Sequence, residues 1–164
     1  IESFIFESAQ NLKNYTSHLL YFDFNDFKPF NGYYGFRQGD RAILIFSELL
    51  QKKYPSEAFV AHVGRDDFFV GIKNKKFEDV FELTDKILQQ FEDSVRNLYN
   101  ETDKKNGYII TKDRFDNERK FNLLSTSCAI IEINKKSKIA NFDYTISVLK
   151  KHSKKYNFPL AASI

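Results

Sequence analysis

Apolar residues recur at strand or helix spacing along most of the chain, and these periods predict its secondary structure. His18–Phe24 is a short, nearly continuous apolar run that is typical of a strand buried on both faces. Apolar positions at helical spacing over Arg41–Lys52 predict a helix that ends at Tyr54-Pro55. The runs Phe59–Val63 and Phe68–Ile72 flank a polar, charged tip, and together they predict a β-hairpin.

The remaining segments are predicted from the same patterns and from the positions of glycine and proline. Residues 25–40 carry Pro29 and several glycines, so we predict an irregular segment there. Residues 99–120 are polar and turn-rich, with a small hairpin predicted around Gly107. The other predictions are helices over 1–15, 77–99 and 141–156 and strands over 121–133 and 158–163.

The central elements follow the order β-α-β-β-α-β, which is the split unit of ferredoxin-like folds. The chain therefore predicts an α+β fold, in which flanking helices cover an antiparallel sheet. Its 164 residues are about one domain. We predict a lead-in helix over residues 1–15 and a single domain over 16–164. Because the chain starts without Met or a signal peptide, we interpret it as a fragment of a larger multidomain protein.

Composition excludes several classes of protein. Hydrophobic residues make up 42% and aromatic residues 16%, which excludes a disordered chain. No apolar run approaches the length of a membrane span, and the single cysteine, Cys128, excludes a disulfide framework. A net charge of +3 is too small to imply nucleic-acid binding. We therefore expect a cytoplasmic protein. We also expect that this segment contacts neither a membrane nor nucleic acid.

Three acidic residues are candidates for a metal site. Asp23 ends the first central strand, and Asp66 and Asp67 lie at the tip of the predicted hairpin. In a β-α-β-β arrangement the end of the first strand lies beside that tip, so these carboxylates are expected to converge. Converging carboxylate oxygens suit Mg²⁺, which proteins bind through one or two carboxylates together with substrate phosphates. The alternative is that each residue is merely solvated.

Further polar residues suit a nucleoside triphosphate. Backbone N–H groups in the turn after the first strand, together with Lys28, can hold phosphates. The carboxylate of Asp40 and the amide of Asn31 can read the edge of a guanine base. Lys150 and Lys154 lie four residues apart on one predicted helix face, where they can neutralise phosphate charge or simply be solvated.

The order of these residues carries a resemblance to a known family. The chain resembles GGDEF domains, the diguanylate cyclase family, over nearly its whole length. The family fold is a palm-like α/β sandwich, in agreement with the predicted element order. The matching segments are Asp23–Asn31 with Gly35 and Gly39-Asp40, the turn Gly64–Phe68 in place of the motif that names the family, Ser127–Ala129, and Asp143 through Lys150 and Lys154.

The resemblance implies a reaction and a set of site residues. Active members condense two GTP into cyclic di-GMP, with two domains facing each other as a homodimer and two Mg²⁺ ions per GTP. Asp23, Asp66 and the Phe24 carbonyl are implied metal ligands, and Asp66 and Asp67 are implied catalytic residues. The implied nucleotide-binding residues are Phe27, Lys28, Asn31, Asp40, Gly64, Arg65, Lys150 and Lys154.

Two positions depart from the family pattern. Arg65 replaces a motif glycine that permits positive φ and close approach of a ligand. Asp67 replaces the catalytic glutamate, which retracts the carboxylate by ~1.5 Å, and a misplacement of about 1 Å can lower a rate ~10²-fold. These changes predict a degenerate, GTP-binding regulatory domain with little or no cyclase activity. The alternatives are an active diguanylate cyclase, in which Arg65 pairs with a phosphate, and an interaction module that binds no nucleotide.

The sequence around the hairpin, Phe59–Gly64, and the segment Asn106–Ile109 are similar to GGDEF domains attached to EAL phosphodiesterase domains. This similarity implies a covalently linked EAL or sensor domain in a bacterial signalling protein. The family's inhibitory Arg-x-x-Asp positions hold Pro55 and Ala58, so we expect no tight product binding there.

Overall fold

The computed structural model describes residues 1–137, 139–153 and 159–163. The helices are α1 Glu2–Gln10, α2 Phe27–Tyr34, α3 Phe36–Lys53, α4 Phe77–Val95, α5 Glu101–Asn106 and α6 Ile139–Ser153, with a 3-10 turn at Arg96–Leu98. The strands are β1 Ser17–Asn25, β2 Phe59–Val63, β3 Asp67–Lys73, β4 Tyr108–Lys112, β5 Glu118–Asn122, β6 Ser125–Glu132 and β7 Leu160–Ser163.

Five strands form the main sheet in the order β2-β3-β1-β6-β7. The pairs β2–β3, β3–β1 and β1–β6 are antiparallel, as predicted, whereas β6 and β7 are parallel. The parallel pair arises because α6 crosses over between the two strands, and parallel neighbours need such a crossover. The predicted β-α-β-β-α-β arrangement is confirmed, and β1 lies at the centre of its sheet.

The two faces of the sheet pack against different helices, and β1 is buried on both. Leu20, Phe22 and Phe24 point into the larger core, which includes residues of α3 and α4. Leu19 and Tyr21 point into the second core. The partners in that second core include Ile5 of α1 and Phe142 and Leu149 of α6. This double burial confirms the prediction made from the apolar run.

The prediction of an irregular segment over residues 25–40 is wrong, because α2 and the start of α3 lie there. Pro29 fits because it stands in the first turn of α2, where a backbone N–H is not required. Gly35, with a φ of 90°, ends α2 and precedes α3. The Tyr34 hydroxyl donates to the Asp103 carboxylate and accepts from the Asn100 N–H, so the end of α2 is tied to α5.

The segment around Gly107 also differs from the prediction. Gly107 adopts a left-handed conformation that ends α5, so it is a helix cap and not a hairpin turn. The hairpin is formed by β4 and β5 just after it, with a tip over residues 113–117. The single long strand predicted over residues 121–133 is two strands, because β5 pairs with β4 whereas β6 belongs to the main sheet.

The other helices were predicted correctly in type, but their observed lengths differ from the predicted ones. The first helix, α1, ends at Gln10 and not at Tyr15, and α4 ends at Val95 before the 3-10 turn. Helix α6 starts two residues before the predicted position, and residues 154–158 of the predicted helix and closing strand lie outside the described residues. Among the residues described, no helix combines the length and hydrophobicity needed to cross a membrane.

His18 gives the fold a testable pH dependence. Burial lowers the pKa of this imidazole, although Glu132 and Glu78 act in the opposite direction. The unfolded chain therefore takes up a proton near pH 6.5 that the folded chain takes up only at lower pH, so the free energy of unfolding falls as pH drops below about 6.5. For one proton the slope is at most about 1.4 kcal/mol per pH unit.

We expect His18→Leu to flatten the dependence of stability on pH between about 7.5 and 5.5. Urea denaturation of both proteins across this range measures the slope. The control is His152→Leu, which replaces an exposed histidine on α6 and measures the effect of a histidine-to-leucine change outside the core. An unchanged slope in His18→Leu would contradict the prediction.

Candidate functional site

Three carboxylates meet at one end of the main sheet. Asp23 of β1 lies directly opposite Asp67 of β3, and Asp66 precedes Asp67 in the β2–β3 turn. Each offers one oxygen, and the three oxygens lie within 4.8 Å of one another. Asp23 is only 3% exposed, and the other two are half-buried. Carboxylate oxygens suit Mg²⁺, which proteins bind through one or two carboxylates together with substrate phosphates.

The strand register explains why two of these carboxylates share a face. Alternate residues of a strand point to the same side, so Asp23 shares its side of β1 with Tyr21. Asp67 stands opposite Asp23 in the register. The Tyr21 hydroxyl donates a hydrogen bond of 2.6 Å to Asp67 Oδ1. The pKa of Tyr21 is raised far above its usual value. Burial is the largest cause, and this hydrogen bond is the next largest.

Lys150 of α6 completes this arrangement. Its Nζ lies 3.6 Å from Asp23 Oδ2 and 3.6 Å from Asp67 Oδ1, and it stands 5.6 Å from the centre of the Tyr21 ring. The sequence predicts Lys150 as a phosphate ligand, and the structure places it against the carboxylates. Lys154, the other lysine of that prediction, lies outside the described residues.

The two residues predicted to read a base lie on α2 and α3. Asn31 is 8% exposed, and its Oδ1 has no hydrogen-bond partner among the residues described. The amide lies so close to Gly39 that a Cβ there would be 1.8 Å from Asn31 Oδ1. Asp40, the next residue of α3, is exposed. The Asn31 amide oxygen is therefore buried against Gly39, whereas the neighbouring Asp40 carboxylate is exposed.

The start of α2 lies beside a cleft of about 680 Å³. Phe27 is buried, whereas Lys28 is exposed, and both line this cleft with Asp66. The opposite wall is the β4–β5 hairpin, including Arg114 and Phe115. Sequence reasoning missed the hairpin as part of the site, because no local motif shows that residues 111–121 return to α2.

Arg65 is accommodated without backbone strain. The left-handed residue of the β2–β3 turn is Gly64, with a φ of 69°, whereas Arg65 does not have a positive φ. The positive φ of this turn is therefore supplied by Gly64, and Arg65 does not have to adopt it. The His62 ring donates through Nε2 to the Arg65 carbonyl at 2.8 Å and stacks on Phe68 at 4.3 Å. The Arg65 guanidinium lies 4.5 Å from the centre of the Phe36 ring.

Comparison with protein families supplies the decisive observation. Residues 2–124 match the family model described as "Diguanylate cyclase, GGDEF domain". The chain belongs to the GGDEF family. Within this GGDEF domain the matched stretch includes all three convergent carboxylates, the base-reading candidates and the turn with Arg65, and it ends before α6.

Individual relatives agree with this assignment. A diguanylate cyclase from Vibrio cholerae serotype O1 is 28% identical over 86 residues, which are 52% of this chain and 26% of the relative. The GGDEF chain thus spans about a quarter of the length of the curated relative that it matches.

Solved structures show the shared fold. The GGDEF domain of DgcB from Caulobacter crescentus, solved in complex with c-di-GMP, has a TM-score of 0.67 at 16% identity, over 98% of this chain and 84% of that one. The active GGEEF domain of a Vibrio cholerae diguanylate cyclase has a TM-score of 0.67 at 16% identity, over 97% of this chain and 91% of that one.

Proposed function

We propose that this GGDEF domain binds GTP with Mg²⁺ and acts as a regulatory module of a cyclic di-GMP signalling protein, with little or no cyclase activity of its own. The observation that carries the proposal is the convergence of Asp23, Asp66 and Asp67 beside the cleft at the start of α2. The GGDEF domain of DgcB, which has the same fold, was solved in complex with c-di-GMP. Like GTP, c-di-GMP is a guanine nucleotide, so this neighbour supports a ligand of that class.

The proposed metal ligands are Asp23, Asp66 and the Phe24 carbonyl. When bound, Mg²⁺ supplies positive charge that neutralises the phosphates of a nucleotide. Lys28, exposed in the first turn of α2, is proposed to contact the same phosphates. Lys150 balances part of the negative charge of Asp23 and Asp67.

The proposed base site consists of Asn31 and Asp40. Guanine presents two N–H donors, N1–H and N2–H, to a carboxylate, and the exposed Asp40 carboxylate can accept both. The Asn31 amide packs against Gly39, the residue before Asp40, and is proposed to contact the same base edge. Adenine lacks the donors at these two positions, so the pair favours guanine.

The contacts of Asp67 support weak or absent cyclisation. Its carboxylate is one methylene shorter than the glutamate of the family, and it accepts a hydrogen bond from Tyr21 on the sheet. Lys150 lies beside the same oxygen. Both contacts occupy Asp67 Oδ1, and the shorter side chain reaches less far than the glutamate of the family, which supports the proposal of weak or absent cyclisation.

We expect calorimetry with Mg²⁺ to show saturable GTP binding to the 164-residue chain, and Asp40→Ala to weaken it about 10- to 100-fold, the loss expected for hydrogen bonds to a charged group. Affinity for ATP is expected to stay weak in both proteins. Asp93→Ala, which removes an exposed carboxylate from α4, is the matched control and is expected to keep wild-type GTP affinity.

The same samples distinguish the alternatives. Binding of GTP without formation of cyclic di-GMP supports the regulatory module. Rapid formation of cyclic di-GMP would show instead an active cyclase, which requires two domains that each bring one GTP. If neither GTP nor ATP binds up to millimolar concentration, the domain is an interaction module and the proposal is wrong.

A further inference from the structure

Phe36 is an aromatic ring left open at the surface beside the proposed base site. It is the first residue of α3, directly after the turn at Gly35, and it is 61% exposed. Among the residues described, no other aromatic ring packs against it; its ring contact is the Arg65 guanidinium at 4.5 Å. A large apolar side chain in this position is therefore mostly open to solvent, with the Arg65 guanidinium over its ring.

The position of Phe36 relates it to Asp40. The two residues are four apart on α3, so their side chains are neighbours on one helix face. Asp40 is exposed on that face, and Gly39 beside it packs against Asn31. A purine whose edge meets Asp40 thus has the Phe36 ring one helical turn away, and bases stack readily on such rings.

Arg65 contacts the Phe36 ring from the turn that also carries one of the three convergent carboxylates. It lies in the β2–β3 turn next to Asp66, which belongs to the carboxylate cluster. The contact between Arg65 and Phe36 therefore connects the turn that carries Asp66, one of the proposed metal ligands, to the helix that carries Asp40. A nucleotide with its base at Asp40 and its phosphates at Asp66 has to pass between these two elements, where the Arg65 side chain now lies.

We propose that the Phe36 ring is a stacking surface for the purine base of the bound nucleotide, and that Arg65 covers this ring when no nucleotide is present. This inference rests on the proposed GTP site. The guanidinium and a purine are both planar groups that bind an aromatic face, so they compete for it. Arg65 thus lowers the affinity of the site until the base displaces it.

The test is a cycle of four proteins: wild type, Arg65→Gln, Phe36→Leu and the double variant. Both side chains are exposed, so all four are expected to fold. Each is titrated with GTP and with inorganic tripolyphosphate, both in the presence of Mg²⁺. Tripolyphosphate has no base, and it reports the loss of the Arg65 charge separately from the uncovering of the ring.

After correction for the effect on tripolyphosphate, we expect Arg65→Gln to raise the affinity for GTP about three- to six-fold, the gain that follows from removing an exposed cation–π competitor. Phe36→Leu is expected to lower GTP affinity about 5- to 100-fold while tripolyphosphate affinity stays the same. In the double variant, loss of Arg65 is expected to give no further gain for GTP.

The outcomes separate this inference from the proposed function. If wild type binds GTP and Phe36→Leu binds it equally well, the stacking role is wrong and the proposed GTP site stands. If Arg65→Gln raises GTP affinity equally with and without Phe36, the competition is wrong. If none of the four proteins binds GTP, both the proposed function and the stacking role fail.

Discussion

Replacing Phe46 with alanine is expected to lower the free energy of unfolding by about 3–5 kcal/mol. Phe46 projects from α3 into the larger core and is fully buried. Its ring lies between 5.0 and 5.4 Å, centre to centre, from the rings of Phe22, Phe24, Phe68 and Phe91. Truncation removes contacts with two strands and with α4 at once, and so many rigid rings leave little room for the cavity to collapse.

Urea denaturation of wild type and Phe46→Ala measures this loss. Phe115→Ala is the matched control, because Phe115 is 75% exposed at the tip of the β4–β5 hairpin and its truncation is expected to change stability by less than about 0.5 kcal/mol. A loss below about 1.5 kcal/mol in Phe46→Ala would contradict the prediction and show that the ring cluster repacks.

The aromatic cluster also supports the carboxylates. Phe24 and Phe68 belong to it, and each is adjacent in sequence to a member of the carboxylate cluster, Asp23 and Asp67. Side chains of successive strand residues point to opposite faces of the sheet. The rings of Phe24 and Phe68 pack on the face toward α3 and α4, so the Asp23 and Asp67 carboxylates lie on the face toward α6. We infer that the Phe-rich composition holds the register on which the convergence of the acids depends.

The pattern of apolar residues was sufficient to predict the strands that are buried along their whole length. The run His18–Phe24 lies in the centre of the sheet, so nearly every position is apolar and the strand is readily predicted. The hairpin of β2 and β3 follows from two such runs around a charged tip. These elements also place Asp23 beside Asp66 and Asp67, so the carboxylate cluster was predictable from the sequence.

Contacts that join distant segments were not predictable in the same way. In the sequence, Tyr21 is indistinguishable from the other apolar residues of the strand. Its hydrogen bond to Asp67 depends on the register between β1 and β3, which the sequence alone does not show. Helix α2 was missed because proline and glycine suggest a loop, whereas its burial comes from packing against α3 and α5. The contact of Arg65 with Phe36 joins residues 29 positions apart and leaves no local signal.

Gly39→Ala is expected to lower the free energy of unfolding by about 1–3 kcal/mol and to weaken GTP binding at least about ten-fold. A methyl group at residue 39 would meet Asn31 Oδ1 at 1.8 Å and Asn31 Cγ at 2.9 Å, so the amide has to move. Asn31 is buried, which leaves the amide little space, and any displacement removes it from the proposed base edge.

Gly32→Ala is the matched control, because Gly32 is also helical and a methyl group there meets nothing within 4 Å. Alanine is the better helix former by roughly 0.5–1 kcal/mol, so Gly32→Ala is expected to be neutral or slightly stabilising. The difference between the two variants in urea denaturation therefore isolates the collision with Asn31 from helix propensity, and GTP titration of Gly39→Ala against wild type measures the loss of binding. Equal stability of the two variants, together with wild-type GTP affinity in Gly39→Ala, would show that the packing of Asn31 on Gly39 does not hold the amide in place.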